Sequence, residues 1–240
     1  MALPLNNVPI YNLTIPSTNE TVRFRPFLVK DQKALMIAQQ SEDQKVMVDT
    51  LKNIISSCIV DKIDIDNLAM FDLEYIFTQL RSRSVGETVE LIVSCDEDHG
   101  EKNNAAKQKV TINLNDIKVS FSEEHSKKLH LWGDVGVVMK YPSVDIIKKY
   151  QTISGNDTDA VFNIISQSID YIYDGDEIYH AKDQTRDEML QFINNLTTEQ
   201  FSLIQKFFET MPKLTHEINY TCPVCSKNHN VKLEGIDSFF

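Results

Sequence analysis

Glycine is scarce in this 240-residue chain, at seven residues, and proline is no commoner. Phosphate-cradling loops need glycine where backbone N–H groups crowd an anion, so a nucleotide-binding fold has little to be built from. Its motifs are missing too. There is no P-loop, no dinucleotide-binding glycine fingerprint, no nucleophile-elbow serine and no paired-histidine metalloprotease helix. No run of 18 apolar residues occurs, so no helix is long enough to span a bilayer. The first twenty residues lack a basic start and a continuous apolar stretch, and do not read as a signal peptide. Positive charge is in deficit, with 24 Lys and Arg against 35 Asp and Glu and a net charge of −11. Such a surface repels phosphate backbones and argues against nucleic-acid binding. Cysteines number four. In a chain expected to stay in a reducing cytosol, they read as thiols or metal ligands rather than disulfides.

What is present is an ordinary globular composition, long enough for one large domain or two modest ones. Residues 8–28 alternate apolar and polar and predict a short hairpin or two edge strands. From Lys30 the period lengthens. "KDQKALMIAQQ" predicts a helix, and "SEDQKVMVDTLKNIISSCIV" a stronger one, with Ser41 as its cap and Val46, Met47, Leu51, Ile54, Ile55 and Cys58 on one face. Cys58 there reads as a small buried apolar residue. "DNLAMFDLEYIFTQLRSRS" predicts a third helix carrying Leu68, Leu73, Ile76, Phe77 and Leu80 inward. "ETVELIVSC" and "KVTINLNDIKVSF" alternate as strands on either side of a polar loop. Residues 122–213 read as mostly helical with loops, and "HLWGDVGVVMKYPS" within them as a short strand or hairpin ending at Pro142. "DAVFNIISQSIDYIYD" is expected as one amphipathic helix, a capping box stands at Thr185 and Glu188, and another cap falls at Thr197 or Thr198. The last of these helices turns Phe201, Ile204, Phe207, Phe208 and Met211 toward a core.

One device occurs twice. "ELIVSC" at 90–95 is matched by "EINYTC" at 217–222, and "LNDIKVSF" at 114–121 by "LEGIDSFF" at 233–240. Each copy reads as strand, cysteine turn, strand, then Leu-x-x-Ile-x-x-x-Phe, which points to an internal duplication. The second copy holds Cys222-x-x-Cys225 between two strands. A two-residue gap lets both sulfurs face one point, as in a zinc knuckle, whereas a thioredoxin-like redox pair would open a helix. Two cysteines supply half of a closed four-ligand site. Three completions stay open: Cys95 with Asp98 or His99 from the first copy, His229 and His216 from the second copy alone, or no metal at all. In the first, one structural zinc ion clasps two hairpins distant in sequence. The fold expected is α+β: two zinc-ribbon-like hairpins brought together, with a mostly helical insertion between them. The segments are N-terminal strands at 1–29, helices at 30–86, a first knuckle hairpin at 87–121, the insertion at 122–213 and a second knuckle hairpin at 214–240. No constellation of catalytic side chains is recognisable, so the chain reads as a binding protein. The alternative is a hydrolase using the metal as a Lewis acid, which requires an open fourth position.

The stretches "DLEYIFTQLRSRSVGETVELIVSC", "YPS", "FINNLTTEQFSLIQKFFETMPKLTHEINYTCPVC" and "LEGIDSFF" together resemble the baseplate hub assembly protein family of T-even-like contractile-tailed bacteriophages. The resemblance runs from about residue 25 to 240. That family's first knuckle often carries a second cysteine where this chain has Asp98. The resemblance implies a morphogenesis protein, a hub subunit or an assembly chaperone without bond-making chemistry. It would act in the host cytoplasm, or as part of the virion, on other baseplate hub or tape-measure proteins. The hydrolase alternative would process a hub component.

Overall fold

The structure, a computed structural model, describes residues 8–41, 43–151, 158–235 and 238. Helices and small sheets are mixed, and among the described residues every strand pairing is antiparallel. The chain forms two compact units. One comprises residues 1–63, 71–120 and 213–240, and the other residues 64–70 and 121–212.

The first unit opens with the hairpin β1 (Tyr11–Thr14) and β2 (Thr21–Phe24), where Leu13, Val22 and Phe24 are buried on one face. Helix α1 spans Val29–Ser41 and α2 spans Gln44–Cys58. Ser41 does not cap α2. Its hydroxyl donates back to Ala38 O and so belongs to the end of α1, and the Asp43 carboxylate caps α2 by accepting from Lys45 N at 2.8 Å. A carboxylate at a helix N-terminus gains from the helix dipole as well as from the hydrogen bond. Leu51, Ile54, Ile55 and Cys58 are buried as expected, while Val46 lies in the exposed first turn. Helix α3 starts at Met70 and runs to Ser84, later than the sequence pattern suggests. Leu73, Ile76, Phe77 and Leu80 face the core. Leu68 instead belongs to the second unit, where its carbonyl accepts from Val144 N.

Two longer hairpins complete the unit. The strands β3 (Thr88–Ser94) and β4 (Lys107–Asn113) pair along their whole length. A third short strand, β5, covers Lys118–Ser120. The second hairpin is made by β10 (Lys213–Thr221) and β11 (Asn228–Glu234), with β5 on the free edge of β10. Alternation decides the faces: Leu214, Ile218 and Tyr220 point inward from β10, and Val93 and Ile112 from the first hairpin. These residues, with Leu114 and Ile117, form one shared apolar cluster, so the two hairpins lean on a common core although they lie far apart in the chain. Leu114 and Ile117 are the first two anchors of the repeated tail. Leu233 packs against the cluster, and Ile236 and Phe240 fall outside the described residues.

The second unit holds more helix than strand among its described residues, but its strands form more than the one short hairpin the pattern suggests. It contains a four-stranded antiparallel sheet in the order β6 (Lys128–Trp132), β7 (Val135–Met139), β8 (Ile169–Asp174), β9 (Glu177–His180). It also holds α4 (Val144–Gln151), α5 (Thr158–Gln167), α6 (Arg186–Asn194) and α7 (Thr198–Glu209). The single helix expected over "DAVFNIISQSIDYIYD" breaks at Ser168, whose hydroxyl bonds back to Ile164 O. Beyond it, Ile169, Tyr171 and Tyr173 alternate, and Gly175 (φ 58°) turns the chain into β9. Alternating aromatic and β-branched residues before a glycine turn favour a hairpin over further helix. The capping box at Thr185 with Glu188 is formed, and the next cap is Thr197, which forms a box with Gln200. Ile204 and Phe207 of α7 are buried against Val137, Met139 and Ile169 of the sheet, with Phe201, Phe208 and Met211 partly buried around them.

Candidate metal centre

Each hairpin ends in a turn that presents cysteine. In the second hairpin, β10 and β11 pair through Thr221 and Asn228, and the chain then closes on itself. Cys222 N donates to Lys227 O at 2.8 Å, and Ser226 N to Cys222 O at 2.9 Å. Ser226, the residue after the second cysteine, takes a left-handed φ of 59°. That tight return aims backbone N–H groups inward, and Val224 N donates to Cys222 Sγ at 3.4 Å. In the first hairpin, β3 delivers Cys95 directly after Ser94. The following loop is tied by Asp98 Oδ1, which accepts from Gly100 N and Asn103 Nδ2, both at 2.9 Å. Gly100 sits at φ 57°, a left-handed position that glycine takes without strain. The result holds His99 toward the opposite knuckle.

Cys95, His99, Cys222 and Cys225 come together, with their ligand atoms all within 4.8 Å of one another. Cys95 Sγ lies 3.9 Å from Cys225 Sγ, and Cys222 Sγ lies 3.6 Å from His99 Nε2. Ligand bond lengths around one tetrahedral zinc ion imply edges of about 3.8 Å between two sulfurs and about 3.6 Å between sulfur and nitrogen. Both measured distances fit those edges.

The electrostatics fit the same purpose. Burial pushes the Cys222 thiol up, but hydrogen bonds from the backbone N–H groups of Cys225 and Val224 and from the thiols of Cys225 and Cys95 outweigh it, leaving its pKa at about 6. Cys222 is thus largely a thiolate at neutral pH. Cys95 is pushed up, first by burial and then by its neighbours Cys222 and Cys225, against an opposing backbone N–H from Glu97. Thiolates crowded together repel, and a divalent cation relieves that repulsion while displacing the remaining protons.

Of the residues singled out from sequence, Cys95, His99, Cys222 and Cys225 are assembled and Asp98 is not, because its carboxylate is spent on holding the loop. The set drawn from the second copy alone does not come together. His216 pairs opposite Leu233, well down the ladder from the knuckle. His229 is near the cluster, but through the other hairpin: its Nε2 lies 3.2 Å from Cys95 Sγ. Sequence reasoning missed that contact, since only shared packing brings residues 95 and 229 together. A polar residue facing inward on β11 was the available signal. Cys58 is fully buried elsewhere and its thiol is pushed up by that burial, as befits a packing residue.

An antiparallel α+β scaffold thus carries, at the tips of two hairpins, a three-cysteine, one-histidine cluster that could hold a metal ion. Beyond this, the family described as T4 bacteriophage base plate protein matches residues 8–240, and the chain belongs to that family. No curated protein and no solved structure matches it significantly. Membership carries a base-plate-related structural or assembly role among phage tail proteins. Among the described residues, no helix is long and apolar enough to cross a membrane.

Proposed function

We propose that this protein is a baseplate hub assembly protein, a hub subunit or an assembly chaperone, that works by binding other hub or tape-measure proteins. It acts in the host cytoplasm while the hub is built, and as a hub subunit it remains in the tail. The observation that carries the reading is the family match across 8–240. Exposed apolar side chains support a binding role. In the first unit they include Val29, Met36 and Ile37 on α1, beside a groove of about 530 Å³ lined by Leu35, Met36, Met47 and Leu51. In the second unit, Ile178 and Tyr179 are exposed on the edge strand β9. Unpaired strand edges and exposed apolar patches are where partner chains add.

Within this reading the cluster is a structural zinc site, with Cys95, His99, Cys222 and Cys225 as ligands. Zinc there ties residues 95–99 to 222–225 and adds its binding free energy to the fold. The count of protein donors supports structure over chemistry, since four ligands close a tetrahedral site and a hydrolytic one keeps a position for water. The test is a tagged copy expressed during infection. It should co-purify with hub proteins, and mass spectrometry of purified virions then separates retained subunit from released chaperone. Failure of hub assembly in its absence, with no physical association at any stage, would count against the binding role.

A further inference from the structure

His229 has a task that the four ligands leave over. It is buried on the inner face of β11, directly opposite Tyr220 of β10. The two rings stack, with centroids 5.0 Å apart and planes 15° from parallel. Tyr220 is itself anchored across the hairpins, its hydroxyl donating to Ser94 O at 2.6 Å. The stack fixes the plane of the imidazole. Nε2 lies 3.2 Å from Cys95 Sγ, and Nδ1 lies 3.6 Å from the Asp96 carboxylate.

The sulfur–nitrogen distance favours a donor over a ligand. Two ligands of one tetrahedral zinc ion stand about 3.6 Å apart when one is sulfur and the other nitrogen. The Cys222–His99 pair meets that spacing, while the Cys95–His229 pair is shorter and fits an N–H···S hydrogen bond. His229 is also outside the set of four mutually close ligand atoms. Charge gives the donor a purpose. Three thiolates around a divalent cation leave a net negative centre, and an N–H aimed at one sulfur withdraws electron density from it. We infer that His229 is a positioning residue of the metal centre: it donates Nε2–H to the Cys95 thiolate from outside the coordination sphere, holds that sulfur in place and blunts its reactivity. The inference rests on the zinc reading above.

Metal-loaded, full-length protein tests it, with cobalt(II) replacing zinc for spectroscopy. His229→Leu removes the donor at similar volume, and His229→Gln restores an N–H at nearly the same place. Both variants should keep one metal per chain and the four-coordinate cobalt spectrum. The Leu variant should move the sulfur-to-cobalt charge-transfer band to lower energy, alkylate faster at Cys95 than wild type, and release metal to a chelator about 10–100-fold faster, the usual size of such outer-sphere effects. The Gln variant should return all three toward wild type. Loss of metal stoichiometry in both variants would make His229 a ligand and overturn the proposal. So would a Leu variant with the charge-transfer band and Cys95 alkylation unchanged, which would leave His229 only a packing role. Should the Leu variant not fold, the wild type still decides. With cadmium-113 bound, one-bond metal–nitrogen coupling should appear for His99 and be absent for His229, and coupling at His229 would overturn the inference alone. Wild-type protein with no bound metal would end both this inference and the zinc reading.

Discussion

At the scale of the residue, neighbours decide what each polar side chain does. Asp98 and His99 are adjacent, yet the carboxylate closes the loop while the imidazole faces Cys222. On the proposed zinc reading, Cys222→Ser should strip zinc from the purified protein and cost several kcal/mol of stability, because the metal-binding free energy would be folding free energy. Asp98→Asn should keep one zinc per chain. Elemental analysis paired with melting curves checks both, and equal metal loss in the two would point to the wrong ligand set. His125 gives a second case. Thr210 Oγ1 donates to Lys206 O, so it must accept from His125 Nδ1 at 3.0 Å, which leaves Nε2 to accept from the Tyr141 hydroxyl at 3.1 Å. Both ring nitrogens are thus matched to the neutral form. Burial, and then the nearby charge of Lys127, hold its pKa below the ordinary value of 6.5. A depressed folded value means that the unfolded chain takes up the proton first. The contribution to stability is therefore full above pH 6.5 and is lost as pH falls through the lower folded value. Melting temperature should drop more between pH 7.5 and pH 5 in wild type than in His125→Gln.

At the scale of the element, local chemistry is readable where one side chain closes one backbone group. The box at Thr185 is legible because the motif contains both partners, whereas two adjacent threonines compete for the next cap and Thr197 takes it, with Gln200. Replacing Thr185 or Thr197 with alanine should cost about 1 kcal/mol, or about 2–4 °C in a chain of this size. Ser41 misled because serine suits a helix end as well as a helix start, and Asp43, two residues on, is the better cap. The helix expected to run on past Gln167 failed for a different reason. Its first half has helical spacing and its second half alternates, and only a partner strand tells which period wins. Gly136 shows such a partner at close range. Placed between His130 of β6 and Tyr173 of β8, it has no room for a side chain: a Cβ there would lie 2.1 Å from Tyr173 Oη and 2.4 Å from Leu129 O. Because one obstacle is backbone, Gly136→Ala should destabilise the sheet by about 1–3 kcal/mol, measurable as a lower denaturant midpoint at unchanged slope.

At the scale of the molecule, the connection between units explains how a long insertion leaves the first unit intact. The chain departs after Ser120 and returns at Lys213, and these two are register partners in the β5–β10 ladder. An insertion whose ends are already adjacent closes no new loop in its host, which is why such sites tolerate added domains. Residues 64–70 also join the second unit, through a bridge between Ala69 and Ser143, so its boundary could not be drawn from one stretch of sequence. With zinc as the tie between hairpins, chelation should lower the melting temperature of wild-type protein, and zinc added back should restore it. Cys222→Ser should be insensitive to both. A chelator without effect on metal-loaded wild type would remove the stabilising role from the site.

The order of residues alone determined the alternating faces of both hairpins, the capped helices, the two-residue gap between Cys222 and Cys225, and the repeat that pairs Cys95 with Cys222. Each is a local periodicity or spacing, and backbone geometry converts those directly into direction. Tertiary structure decided the rest: that His99 and not Asp98 faces the sulfurs, that His229 meets a cysteine 134 residues away, and that the inserted segment carries a four-stranded sheet. Those outcomes depend on which surfaces bury one another, and burial is a property of the folded whole that no single stretch of chain contains.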